Sequence, residues 1–140
     1  MPQFGIEHLS EERLAEAWAV ARMSRSHAYC DWWVSESVAL IARGGGILAL
    51  RAPDHAIHGI ATYEVARKAR LGRVLLVDTL VAFELNGRAP VRHALRDALE
   101  LLASAFDCRS ILLPLPSKGH IRDRAKKLYG LMDFEPPDRA

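Results

Sequence analysis

The stretch from Val74 to Leu115 limits the possible folds more than any other part of the chain. Val74 to Phe83 is ten residues long and dominated by Val and Leu, with Asp78 in its middle, and its composition predicts a buried strand. A turn follows from Asn86 to Pro90, and Pro90 suits the first position of a helix, where its missing N–H costs nothing. From Pro90 to Phe106 the residues Val91, Ala94, Leu95, Ala98, Leu99, Leu102, Ala105 and Phe106 form one apolar stripe. Arg92, His93, Arg96, Asp97 and Glu100 lie on the opposite face. Ser110 to Leu115 then reads as a second buried strand, and Pro114 and Pro116 forbid further ladder bonds and bend it away. A strand, a helix and a strand in this order predict a parallel pair joined by a crossover.

The residues before this unit predict the opposite sense. Ile47–Arg51, Ile57–Val65 and Val74–Phe83 are apolar runs joined by short turns, one of them an exposed tip from Ala66 to Gly72, so they form an antiparallel meander. Ser10 is placed to cap a first helix that fades near Arg25, with Glu11 and Glu12 in its first turn and Leu9 and Leu14 spaced as a hydrophobic staple. Leu14, Ala17, Trp18 and Ala21 would share its inner face. A second helix is expected from Val34 to Ala42, ended by Gly44, Gly45 and Gly46. Phe4–His8 reads as a short edge strand, Ile121–Leu131 as a last helix with Tyr129 turned inward, and Phe134–Pro137 as a short final strand. The expected class is α/β (α+β): a mixed, mainly antiparallel central sheet flanked by helices, in the order β-α-α-β-β-β-α-β-α-β.

Composition narrows the setting. The 140 residues fit one domain spanning 1–140, and with 50% hydrophobic residues and a net charge of +2 the chain is not expected to be disordered. No apolar run approaches the roughly 20 residues that cross a bilayer, so no membrane association is expected. A charge of +2 is too small to predict nucleic-acid binding. Cys30 and Cys108 are far apart and fit no metal-type spacing, so reduced thiols in the cytoplasm and no metal are expected. The 15 arginines against 4 lysines fit either anion recognition or a bias in residue usage.

Four features carry candidate chemistry. The strand-to-helix turn with Asn86, Gly87, Arg88 and Arg92 stands at a helix N-terminus, where free N–H groups and the dipole favour an anion. Asp78 lies among Leu75, Leu76, Val77, Leu80 and Val81, sharing a face with Leu76 and Leu80 by alternation. A carboxylate there is either paired or a candidate general base facing a cleft. Tyr129 is either a core tyrosine or a proton donor, since a phenol keeps its proton at neutral pH. His27 to Trp33 is aromatic, polar and non-periodic, and Tyr29, Asp31, Trp32 and Trp33 would line a substrate wall or fold over the core.

Together the element order and these residues resemble the GNAT family, the Gcn5-related N-acetyltransferases, over about Phe4 to Pro136. Gly45-Gly46-Ile47-Leu48-Ala49-Leu50 with Ile57-His58-Gly59-Ile60-Ala61 is similar to the family's second and third strands. Val77-Asp78-Thr79-Leu80-Val81-Ala82-Phe83, the turn and Ala94-Leu95 are similar to its fourth strand and following helix. Ala125-Lys126-Lys127-Leu128-Tyr129-Gly130-Leu131-Met132-Asp133-Phe134 is similar to its late helix, which reads Ala-x-x-x-Tyr and ends in Gly-Phe. The resemblance implies acetyl-CoA as co-substrate, lying between the fourth and fifth strands. It implies that Leu80, Val81 and Ala82 meet the pantetheine, and that Asn86, Gly87, Arg88, Ala89, Val91 and Arg92 surround the pyrophosphate. It places Tyr129 as acid toward the thiolate and Asp78 as base toward the amine.

The loop departs from the family's Arg/Gln-x-x-Gly-x-Gly/Ala: only Gly87 survives, and Pro90 brings no N–H donor. Two functions therefore stand side by side. One is CoA-dependent N-acyl transfer to an amine acceptor of a small molecule or protein. The other is a catalytically inactive module of the same fold, binding a protein or nucleic-acid partner. An acceptor pocket would come from His27–Trp33, the tip near Arg70, or the second subunit of a homodimer.

Overall fold

The computed structural model describes residues 4–23, 29–85, 87–115 and 129–136. Six strands form one sheet in sequence order. Strands β1 (Gly5–His8), β2 (Gly46–Arg51), β3 (Ile57–Lys68) and β4 (Gly72–Ala82) are antiparallel neighbours. β4 is parallel to β5 (Ser110–Pro114), and β5 is antiparallel to β6 (Tyr129–Leu131). The expected meander and the expected parallel pair are both present. The β3–β4 tip turns at Arg70 and Gly72, with φ of 74° and 73°.

Both faces of the sheet are covered, which explains why Ile47 to Leu50 is apolar without alternation. Leu48 and Leu50 belong to one core, with Ala61, Tyr63, Leu75 and Val77 of the sheet. Helix α3 (Pro90–Ala105) supplies Val91, Leu95, Leu99 and Ala103 to that core. The predicted stripe is the buried one, except that Ala103 is buried and Ala105 is exposed. Ile47 and Ala49 face the other core, with Ile60, Leu14, Ala17, Val20, Ala21, Trp33 and Leu40. Gly59 is what lets α3 lie so close: a Cβ there would stand 2.7 Å from Val91 Cγ1 and 2.9 Å from Leu95 Cδ1.

The structure differs from expectation at several elements. Strand β3 runs on to Lys68, so Ala66, Arg67 and Lys68, predicted to lie in the exposed tip, pair with Val74, Arg73 and Gly72 of β4. The first helix is a 3₁₀ segment, Glu11–Ala17, followed by one α turn, α1 (Trp18–Ala21). Its buried residues Leu14, Ala17 and Val20 recur every third position, the period of a 3₁₀ helix, and Arg13 N–H donates to the Ser10 carbonyl at 3.0 Å. Ser10 occupies the N-cap position without a side-chain cap bond. Helix α2 (Cys30–Ala42) begins four residues before the predicted Val34, so Asp31, Trp32 and Trp33 are helical. Tyr129 opens strand β6, because its backbone pairs with Pro114; the predicted helix over Ile121–Leu131 does not reach it, and its earlier residues lie outside the described ones. The last strand is thus Tyr129–Leu131, and Phe134 packs against the α3 core without being in a strand. Among the described residues no helix is long and apolar enough to cross a membrane.

Candidate active site

The site begins where β4 and β5 part. Their parallel register runs only from Val74↔Ser110 to Leu76↔Leu112. Beyond Leu76, β4 continues to Ala82 along β3, while β5 pairs with β6 through Leu112, Leu113 and Pro114. The last of these, Pro114, has no N–H to offer a ladder. An opening is left on the β5 side of β4.

A β-bulge places Asp78 at the mouth of this opening. Tyr63 pairs with Val77 and Thr62 with Thr79, so Asp78 is the extra residue of β4. A bulge re-aims the side chain it carries and shifts the alternation that follows. Leu80 accordingly packs against the same α3 core as Leu75 and Val77, and does not share the face of Leu76 as simple alternation predicts.

Tyr129 faces Asp78 across the opening, its hydroxyl donating to Asp78 Oδ1 at 3.4 Å. Burial pushes the Tyr129 phenol up to about 12, helped by the negative charge of Asp78, the hydrogen bond to it, and the charge of Glu64. Glu64 itself accepts from Arg43 Nε at 3.3 Å. The phenol therefore stays protonated through the neutral range, beside a carboxylate that accepts from it. A proton donor and a proton acceptor in contact are the groups that general acid–base chemistry uses. Asp78 and Tyr129, 51 residues apart in sequence, are brought into contact.

Leu80, Val81 and Ala82 line the open edge of β4 and are partly buried, paired on their other side with Ala61, Ile60 and Gly59. The turn beyond them departs from a phosphate cradle. Asn86 lies outside the described residues, Gly87 and Arg88 are exposed, and Ala89 adopts φ 53° and ψ 49°, a left-handed conformation that favours glycine. Pro90 is the first helical residue, as predicted. The N–H groups of Val91 and Arg92 donate to Glu84, at 2.9 Å to Oε1 and 3.1 Å to Oε2. Glu84 escapes sequence reasoning because a capping box seeks its acid three residues inside the helix, whereas this one lies seven and eight residues before its donors.

The aromatic segment divides. Trp33 is fully buried, and its Nε1 donates to the Leu14 carbonyl at 2.7 Å, so it anchors α2 to the 3₁₀ segment and is not part of a substrate wall. Tyr29 and Trp32 are 73% and 40% exposed at the start of α2, with Asp31 exposed between them.

No protein-family model matches the sequence, and no curated protein matches it significantly. Solved structures do match. Aminoglycoside 6'-N-acetyltransferase AAC(6')-Ih from Acinetobacter baumannii superposes with a TM-score of 0.68 at 14% identity, covering 87% of this chain and 83% of that one. Aminoglycoside N-acetyltransferase AAC(6')-Iy, solved in complex with CoA, gives 0.68 at 11% identity, with 79% and 76% covered. A ribosomal-protein-alanine N-acetyltransferase from Brucella melitensis biovar Abortus 2308 gives 0.65 at 17% identity, with 81% of each chain covered. The chain has the fold of the Gcn5-related N-acetyltransferases.

Proposed function

We propose that the protein is a CoA-dependent N-acyltransferase that moves an acetyl group from acetyl-CoA to the amine of a small molecule or protein, in the reducing cytoplasm. The observation that carries this is the Tyr129–Asp78 contact across the β4–β5 opening. The CoA complex of a structural neighbour supports the choice of co-substrate. The open β4 edge from Leu80 to Ala82 suits an extended pantetheine arm, and the α3 N-terminus lies where the chain turns beyond it.

Asp78, directly or through water, takes the proton that the amine loses as its nitrogen bonds to the acyl carbon. Tyr129 gives its proton to the sulfur as the carbon–sulfur bond breaks. The tyrosinate then recovers a proton from Asp78 along their contact, and the two groups return to their starting states. The products are an amide and a free thiol, and no other reactant is needed. Tyr29, Asp31 and Trp32 are proposed to contact the acceptor amine from the start of α2.

Calorimetry with CoA and acetyl-CoA tests the proposal, and an absence of binding at millimolar CoA sinks it. Given binding, Tyr129→Phe should lower kcat about a hundredfold or more, the usual worth of a positioned acid, while CoA affinity changes little. Equal losses in both remove the acid role. A non-catalytic module is the second reading, favoured by the carboxylate of Glu84 at the α3 N-terminus. That reading predicts salt-sensitive retention on nucleic acid, lost when Arg67 and Lys68 at the end of β3 and Arg70 of the β3–β4 tip are neutralised.

A further inference from the structure

We propose that the acceptor is a diamine, and that Glu64 selects it by binding the ammonium that does not react. The proposal rests on the acyltransferase reading and names the class of its acceptor.

The register puts Glu64 on the face where the reacting groups meet. Glu64 pairs with Leu76, Leu76 with Leu112, and Leu112 with Leu131. The four therefore form one row across β3, β4, β5 and β6 and share a face. Their chain neighbours Tyr63, Val65, Leu75, Val77, Ile111 and Leu113 pack into the α3 core, so the row lies on the opposite face. Tyr129 pairs with Pro114, two residues beyond Leu112, and stands on the face of the row. Its hydroxyl meets Asp78 Oδ1 at 3.4 Å. Asp78 follows Leu76 by two residues on β4, so at about 3.3 Å per residue and about 4.8 Å between strands its Cα lies about 8 Å from that of Glu64. Two nitrogens on one short alkyl chain bridge that span.

The surroundings of Glu64 suit an ammonium. The chain carries a net charge of +2, so its overall field does not draw cations in and a local carboxylate must do so. The Glu64 side chain is 29% exposed, and its charge helps to hold the Tyr129 phenol protonated. Arg43, where α2 ends, reaches Glu64 Oε2 through Nε at 3.3 Å, longer than the roughly 2.7–2.9 Å of a strong charged pair. The Arg43 side chain is itself 55% exposed, and so open a pair is weak enough for an ammonium to share or take the carboxylate. Leu76, beside Glu64 and partly buried, offers the methylenes an apolar contact. The nitrogen near Asp78 loses its proton and takes the acetyl group. The other keeps its proton and donates to Glu64.

Acetyl transfer to putrescine and to n-butylamine, which lacks the second nitrogen, tests this on the wild type, Glu64→Gln and the control Glu100→Gln. Calorimetry with CoA and with putrescine accompanies it. Gln keeps the size of the side chain, and Glu100→Gln removes the same charge from α3, across the sheet. The expected result is a wild-type kcat/KM about tenfold or more higher for putrescine. That preference should fall in Glu64→Gln to about twofold, the statistical advantage of two equivalent nitrogens, and persist in the control. No preference in the wild type, or a preference that Glu64→Gln leaves unchanged or that both substitutions lower equally, overturns the proposal and leaves the acyltransferase reading standing. CoA bound with neither amine acetylated also overturns it. Where no CoA binds, the acyltransferase reading falls. Putrescine binding that weakens about tenfold in Glu64→Gln alone then keeps Glu64 as a diamine site, and any other putrescine result overturns that as well.

Discussion

Gly59→Ala should destabilise the protein, chiefly through α3. Gly59 is buried in β3, between Leu50 of β2 and Ala82 of β4. Its φ is not positive, so alanine can adopt its backbone. The obstacle is the Cβ, which would sit 2.7 Å from Val91 Cγ1, 2.9 Å from Leu95 Cδ1 and 3.3 Å from the Val81 carbonyl oxygen. Carbon atoms rest about 3.5–4.0 Å apart, so the first two turns of α3 must rise by about 1 Å or their buried side chains must leave their rotamers. Overpacking of this kind costs about 1–3 kcal/mol. The stiffer unfolded chain of an alanine variant returns about 0.4–1 kcal/mol. The net loss is about 1–2 kcal/mol, or about 3–8 °C in Tm for a chain of this size.

Thermal and urea unfolding of Gly59→Ala, Val91→Ala and the double variant measure it. Val91→Ala removes the methyl that the new Cβ meets first, so the double variant should lose less than the sum of the single losses, by about 1 kcal/mol. Gly59→Ala melting at or above the wild-type temperature, or strict additivity with Val91→Ala, refutes the reasoning. The same lift would carry away the Val91 N–H that Glu84 accepts, so the first turn of α3 should lose amide-exchange protection before the rest of the helix.

Two further predictions concern single side chains. Because the Tyr129 phenol is raised from 10.0 to about 12, the unfolded chain ionises first; the stability this group contributes is intact below pH 10.0 and lost as pH climbs toward 12. The wild-type Tm should therefore fall further than that of Tyr129→Phe across that interval, and parallel curves would contradict the burial of the phenol beside Asp78. Trp33→Phe removes the indole donor to the Leu14 carbonyl and opens space in a core position that is fully buried, which should cost about 2–4 kcal/mol in urea unfolding. A cost below about 1 kcal/mol would mean that the indole does not anchor the 3₁₀ segment.

What could be read from the sequence was whatever a local pattern records. The α3 stripe, Pro90 at the helix start and the apolar runs of β2, β3 and β4 each follow from residues within one element, and each stands where expected. The misses depend on partners distant in the chain. Tyr129 is in a strand because its backbone meets Pro114. Trp33 is core because its indole meets Leu14, 19 residues earlier. The extra residue at Asp78 exists only by comparison with the facing pair Thr62 and Tyr63. The site shows both kinds of information at once. Asp78 stands out as a carboxylate among Val and Leu, and Tyr129 as a tyrosine in a family-like segment, yet neither pattern contains the other residue. Their 3.4 Å contact is produced by the bulge and by the β5–β6 pairing, the two features with no local signature. Glu84 belongs to the same class. Nothing near it in sequence marks it as a cap, and only the return of the chain into α3 brings its carboxylate to the amides of Val91 and Arg92. A degenerate loop therefore cannot be judged by its lost glycines alone: the group that holds the helix end, Glu84, lies before the motif and is found only where the chain returns into α3.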